Sequence, residues 1–310
     1  MKKALVLGAS GGFGHYMAEA LLEAGWYVVT LCRSGKASLA PELQGKVEYI
    51  GGDAQDKAAV SKAALGCSIL VYGVNPPYHK WRKESLSLLS VSVDVCREQS
   101  LKMVFPGNVY NFDPTKTPHI DENTTVNPRT EKGRIRVEME SHIREAVNAS
   151  NMTALIIRCG DYIGKRAPST WLSELLSKRG GNIQIQNPDK KDTKHSFAYL
   201  PDVASSAVAL LDAELADFET FHFAGYEFSM SELAIEIENK TGKRVTIKNF
   251  PWLAIRLLSL LMPKLKGVIE MRYLWQQPMS LSSKKLERYL GANAKKQTPI
   301  FDALTESELI

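Results

Sequence analysis

Lys3-Ala-Leu-Val-Leu-Gly8-Ala-Ser-Gly11-Gly-Phe-Gly14-His15 is the stretch that decides how this chain reads. Ala4 to Leu7 is a short apolar run, the pattern of a strand buried on both faces. Gly8, Gly11 and Gly14 follow at three-residue intervals, and a helix-patterned segment runs from about Tyr16 to Ala24. Strand, glycine turn and helix together offer backbone N–H groups to a pyrophosphate. In that reading Gly8 permits the tight exit from the strand and Gly11 lets phosphates approach the main chain. Gly14 lets the helix pack close to the sheet.

The second strand, Tyr27-Val-Val-Thr-Leu31, bears on which dinucleotide binds. An Asp or Glu at such a strand's end holds the ribose 2′-OH of NAD. Here the tip is Cys32-Arg33-Ser34, with Lys36 just beyond and no acid nearby. A guanidinium is well shaped to clamp a 2′-phosphate, so Arg33 favours NADP over NAD. The plainer alternative is a solvated turn residue stacked on the adenine.

Bulk properties suit a single globular chain. At 310 residues it can bury a large core, as one α/β domain and a smaller lobe. Hydrophobic residues make up 44% and charged residues 24%, ordinary values that call for no special class. The net charge of +5 has no basic block. It gives weak support to an anionic small molecule and none to nucleic acid. The four cysteines, Cys32, Cys67, Cys96 and Cys159, form no CxxC pair and suit a reducing, cytoplasmic setting. The apolar run after Met1-Lys-Lys ends at Gly8, too soon for a signal peptide. No stretch reaches the ~20 apolar residues of a membrane span. Trp252 to Leu261 is the most apolar helix candidate, interrupted by Arg256 and ended by Pro263. It reads first as a packed lobe helix and second as a membrane- or partner-facing surface.

Strands and helices then alternate. Strand patterns fall at Val47–Ile50, Ser68–Tyr72, Lys102–Phe105 and Thr153–Arg158, with helical patterns over 55–65, 82–99 and 132–149. This predicts an α/β fold with a doubly wound parallel Rossmann sheet, its ligands at the carboxyl ends of the strands. Regular alternation stops near residue 165. The expected organisation is a dinucleotide-binding domain over 1–165. A smaller C-terminal substrate lobe covers 166–310, with some segments returning to the first domain.

The order and spacing of several motifs resemble the extended short-chain dehydrogenase/reductases, the NAD-dependent epimerase/dehydratase family. They are Gly8-Ala-Ser-Gly-Gly-Phe-Gly14, Gly52-Asp53, Phe105-Pro-Gly-Asn-Val-Tyr110, Arg158-Cys-Gly-Asp-Tyr-Ile-Gly164 and Tyr199-Leu-Pro-Asp202. The resemblance covers almost the whole chain. It implies a nicotinamide cofactor and a sugar-like or other small polar substrate in a cleft below the lobe. Ser10, Gly12 and Phe13 would join the three glycines around the cofactor. Asp53 and Ala54 would sit by the adenine, and Gly73, Val74 and Asn75 along the cofactor's middle. A homodimer is compatible with the resemblance.

The departure from the family matters more than the match. The family's catalytic Tyr and Lys lie four residues apart on one helix face. The matching segment here is Pro128-Arg-Thr-Glu-Lys132-Gly-Arg-Ile-Arg136, with Lys132 in the Tyr slot and Arg136 in the Lys slot. Gly107-Asn108 stands where a Ser or Thr is usual. Three readings remain open. In one, Lys132 is the acid/base, its pKa lowered by Arg136 and burial, while Asn108 polarises a carbonyl. In another, the proton donor is Tyr110, Tyr162 or Tyr78. In the third, the dinucleotide site is kept without catalysis, as in redox-sensing regulators of the NmrA type. The plain alternative for Lys132 and Arg136 is solvated helix charge paired with Glu131, Glu138 and Glu140. Trp171, Lys190, Lys191, Lys194 and His195 hint at an anionic or sugar-like ligand, although His195, in a polar stretch, reads as a surface residue. The six histidines show no metal-ligand spacing, and no GxSxG elbow is present.

Overall fold

The structure, a computed structural model, describes residues 2–33, 39–167, 169–189, 191–291 and 296–310. Ser34, Lys36 and Lys190 lie outside the described residues. Its centre is one parallel sheet of seven strands. These are β1 (Lys3–Leu7), β2 (Tyr27–Cys32), β3 (Glu48–Gly51), β4 (Ile69–Tyr72), β5 (Lys102–Asn108), β7 (Thr153–Cys159) and β12 (Phe218–Phe223), in the spatial order β12-β7-β5-β4-β1-β2-β3. β6 (His119–Ile120) lies outside this sheet and pairs with β15 (Ser280–Leu281). The chain leaves β1 to one side for β2 and β3, then crosses to the other side for β4 onward. The order therefore reverses between β1 and β4, where an open α/β sheet forms its ligand crevice.

Helices cover both faces. α1 (Gly12–Glu23), α6 (Leu200–Leu210) and α10 (Lys284–Leu290) pack Met17, Leu21, Val203 and Leu286 against one face. α2 (Lys57–Ala63), α3 (Trp81–Gln99) and α4 (Glu131–Asn148) pack Val60, Leu89, Ile135 and Ile143 against the other. Leu5, Val6, Leu70 and Val71 are fully buried between them, each worth roughly 1.5–3 kcal/mol of hydrophobic stabilisation.

A third core belongs to the lobe. It gathers β8 (Asp161–Ile163), α5 (Trp171–Leu175), β9 (Leu176–Arg179), β10 (Asn182–Asn187), β11 (His195–Tyr199), β13 (Tyr226–Phe228), α7 (Met230–Thr241) and α11 (Ile300–Glu306) around Phe197, Phe228 and Trp275. β14 (Val245–Asn249) pairs with β10, and α8 (Trp252–Leu258) and α9 (Lys266–Glu270) follow it.

Three differences from the sequence reading stand out. Helix α1 starts at Gly12, not near Tyr16, because two of the turn's glycines form its first helical turn. The sheet gains a seventh strand, β12, from the 166–310 region, where segments were expected to return to the first domain but this strand was not placed. Trp252–Leu261 was expected to pack, yet α8 contains no buried residue.

Candidate functional site

A cleft of about 450 Å³ opens at the carboxyl ends of β1, β4, β5 and β7. One end is rich in glycine. Gly8 has φ +74°, and a Cβ there would stand 2.4 Å from the Gly73 carbonyl oxygen. A Cβ on Gly14 would meet the Gly8 oxygen, also at 2.4 Å. Strand, turn and helix thus touch main chain to main chain, and any side chain at these positions would force them apart. Gly11 is different. Its Cβ would have no neighbour nearer than the Gly8 oxygen at 3.5 Å. Gly11 is also the N-cap of α1, with no side-chain cap and no acid in the first turn. The first N–H groups of α1 and its positive dipole end are therefore available to an anion. Ser10, Gly11, Gly12, Phe13, Gly73, Val74 and Asn75 all line this end.

Arg33, Asp53 and Ala54 stand beyond the ends of β2 and β3 and are not on the cleft wall. Arg33 is exposed. The Asp53 carboxylate accepts the Gln55 N–H at 3.0 Å, which shapes the turn after β3.

The far end is built from side chains. The hydroxyls of Tyr78 and Tyr110 hydrogen-bond each other at 2.7 Å. Trp81 packs against both rings, with centroids 5.3 and 6.2 Å away, and its indole N–H donates to the Pro76 carbonyl. Burial pushes the Tyr78 phenol up to about 12, with Tyr110 pulling the other way. Burial likewise raises Tyr110 well above the ordinary range. Both phenols therefore stay protonated at neutral pH. Asn108 accepts the Tyr110 N–H through Oδ1 at 3.0 Å and so fixes the turn that carries Tyr110. Arg136 also lines the cleft. Its guanidinium donates to the Pro106 carbonyl, lies 4.6 Å from the Phe105 ring centre, and has an Nε with no partner. Burial lowers its pKa, opposed mainly by Glu140.

Lys132 goes elsewhere. Its N–H donates to Glu270 Oε1 at 3.0 Å and its ammonium pairs with Glu270 Oε2. The amine lies 5.1 Å from the Tyr78 ring centre. The structure thus brings Arg136, Asn108, Tyr110 and Tyr78 together on the wall, while Lys132 fastens α4 to α9 behind it. The three acids named as its alternative partners are used otherwise. Glu140 pairs with Arg158 at 2.7 Å, and Glu131 and Glu138 approach Arg82.

In the lobe, Trp171 lines the cleft. Lys191 is exposed, and Lys194 pairs with Glu232 at 2.8 Å away from the cleft. His195 is buried, not on the surface. Its Nε2 is 2.5 Å from Asp161 Oδ2, and its ring stacks on Trp275 with centroids 4.0 Å apart. All five residues of β11 are buried, whatever the polarity of the stretch that precedes it. Trp81 and Arg166 also line the cleft and carried no local signal. Arg166 is held by both Glu42 oxygens at 2.6 Å.

Fold and cleft together define a Rossmann protein of the extended short-chain dehydrogenase/reductase architecture. Residues 1–299 match the model of the NmrA-like family, and the chain belongs to that family. An uncharacterized protein y4nG of Sinorhizobium fredii is 25% identical over 262 residues, 81% of this chain. The chain spans 63% of that relative's length.

Solved structures share the whole architecture at low identity. MoeE5 in complex with UDP-glucuronic acid and NAD has TM-score 0.76 at 14% identity, covering 100% of this chain and 98% of its own. UDP-glucose 4-epimerase from Bifidobacterium longum, with NAD+ and UDP, has TM-score 0.73 at 16% identity, covering 99% and 97%. dTDP-glucose 4,6-dehydratase from Bacillus anthracis, with NAD, has TM-score 0.76 at 12% identity, covering 99% and 95%. At such identities the likeness is one of fold.

Proposed function

We propose that this chain binds a nicotinamide dinucleotide, NADP in preference to NAD, and acts as an oxidoreductase or epimerase/dehydratase-like enzyme with non-standard residues. The observation that carries the reading is the uncapped, acid-free start of α1 at Gly11, on the cleft wall with open space around it. The residues present fit the group. Ser10 to Phe13 would hold the pyrophosphate, Gly73 to Asn75 the middle of the molecule, and Arg33 a 2′-phosphate. A bound nicotinamide supplies hydride exchange with a substrate carbon.

This chain's own part at the reacting end is to bind and orient an oxygen. One phenol of the hydrogen-bonded Tyr78–Tyr110 pair donates to the other, which leaves one O–H to donate to a substrate carbonyl or hydroxyl, and Arg136 stabilises negative charge on it. Asn108 positions Tyr110. A small polar substrate, sugar-like or anionic, suits such donors. The sugar nucleotides named with the structural neighbours support that class.

A second reading, a dinucleotide-binding redox sensor, is favoured by one observation. Both phenols are pushed up by burial, and the Lys132 ammonium is engaged in an ion pair with Glu270. Neither phenol is shifted toward a neutral-pH base.

Calorimetric titration with NADPH and NADH, together with turnover assays on carbonyl and sugar-nucleotide panels, tests both. NADPH is expected to bind tighter, and Arg33→Asp to reverse the order by roughly ten- to hundredfold. Tyr110→Phe should lower turnover by about tenfold or more with cofactor affinity kept. Unequal affinity for oxidised and reduced forms without turnover would establish the sensor instead.

A further inference from the structure

We infer that the segment from Trp252 to Lys266 docks this protein on an anionic lipid surface. Half of the exposed large hydrophobics among the described residues fall within ten positions of each other: Leu253, Leu257, Leu258, Leu260, Leu261 and Met262. Leu253, Leu260 and Leu261 are 73%, 78% and 83% exposed. Singly exposed leucines are ordinary; a contiguous run of them marks an interaction surface.

Within the run α8 is anchored at its two ends, by the partly buried Trp252 and by the buried Ser259 just past it. Trp252 donates its indole N–H to the Pro188 carbonyl at 2.7 Å and packs against Phe250. Ser259, seven residues on, is buried. Beyond the run Glu270 ties α9 to Lys132.

Charge decides the occupant. Between Glu238 and Glu270 the chain has seven Lys and Arg residues and no Asp or Glu. Arg256, Lys264 and Lys266, inside the apolar segment, are exposed and form no ion pair among the described residues. A second copy meeting this face across a two-fold axis would set these cations against themselves. A layer with apolar interior and anionic headgroups satisfies both leucines and cations at once. No helix among the described residues is long and apolar enough to cross a membrane, so the segment lies along the surface.

The mouth of the cleft sits beside this segment. Trp171, on the cleft wall, has its ring 6.3 Å from that of Trp252. Tyr78, on the same wall, packs against Gly267 so closely that a Cβ there would stand 2.8 Å from the Tyr78 Cβ. Docking therefore brings the reacting end to the lipid surface, whichever reading of its chemistry holds.

Flotation of the full chain with vesicles tests the inference. Phosphatidylcholine vesicles containing about a third phosphatidylglycerol are compared with pure phosphatidylcholine. Binding is expected to be at least about tenfold stronger to the anionic vesicles and to weaken with salt. Leu260→Asp/Leu261→Asp and Lys264→Glu/Lys266→Glu, all at exposed positions, should each abolish it with the thermal melt unchanged. Absence of binding to anionic vesicles, or binding that survives both double variants, overturns the inference. So does a wild-type dimer in sedimentation that Leu260→Asp/Leu261→Asp splits into monomers, since the face would then join two copies.

Discussion

The two ends of the cleft are made of different material. At the glycine-rich end the groups on offer are main-chain N–H donors, placed because Gly8, Gly14 and Gly73 let backbone touch backbone. At the reacting end they are side chains, each held by another: Tyr110 by Tyr78 and Asn108, Arg136 by the Pro106 carbonyl, and Lys132 drawn away by Glu270. The first kind of site tolerates only glycine and announces itself in sequence. The second can be rewired by a distant substitution and leaves no fixed spacing behind.

The largest expected effect separates the ends. Gly11→Asp should lower dinucleotide affinity by more than about a hundredfold, measured by calorimetry, with the melting temperature held or raised. Aspartate is a favoured N-cap and has room at this position. It would occupy the same N–H groups that the phosphates need and repel them. Unchanged affinity would show that the glycine-rich end is not where the dinucleotide sits.

Lys132→Met probes the other end. It strands the half-buried Glu270 carboxylate, so stability should fall by about 1–3 kcal/mol in urea titration. Adding Glu270→Gln should recover part of that loss. Cofactor affinity should stay within a few-fold. A variant of full stability that has lost all turnover would restore Lys132 to the role of acid/base.

The smallest effect appears only in acid. His222 in β12 packs edge-on against Phe112, just beyond the tyrosine turn, with ring centroids 6.4 Å apart. Burial, with help from Arg158, holds its pKa down from 6.5 to about 3. The unfolded chain takes up that proton near the ordinary value, so it binds more protons than the fold between these limits. Stability from this group is therefore complete above about 6.5 and is lost as pH falls toward 3. Wild type should lose roughly 1 kcal/mol between neutral pH and pH about 5.5, and His222→Gln less. Hydrogen exchange at the two pH values should show the loosening near residues 108–122 and leave α1 unchanged.

What the sequence made legible follows the same division. β1, the glycine turn and the alternation to β7 rest on local patterns, and local patterns survive reading. The start of α1 was displaced because glycines lower helix propensity even where an N-terminus needs them. β12 was missed because an edge strand with Glu219 and His222 in it lacks the apolar run of its neighbours. The partner of Lys132 lies 138 residues away, and no spacing rule reaches that far. His195 looked like a loop residue because its buried contacts, Asp161 and Trp275, come from two other parts of the chain. The exposed leucines of α8 looked like core because hydrophobicity alone does not say which surface will cover them.

Gly133 carries a consequence for how this chain can change over time. A Cβ there would stand 2.3 Å from the Tyr110 carbonyl oxygen and 2.9 Å from the Pro128 side chain. The first turn of α4 and the turn bearing Tyr110 are thus pinned together by a missing methyl group. Residue 133 therefore fixes where the side chains at 132 and 136 start from, whatever those side chains are. In any descendant of this sequence an alanine at 133 would lift the helix and carry both neighbours out of register with the cleft.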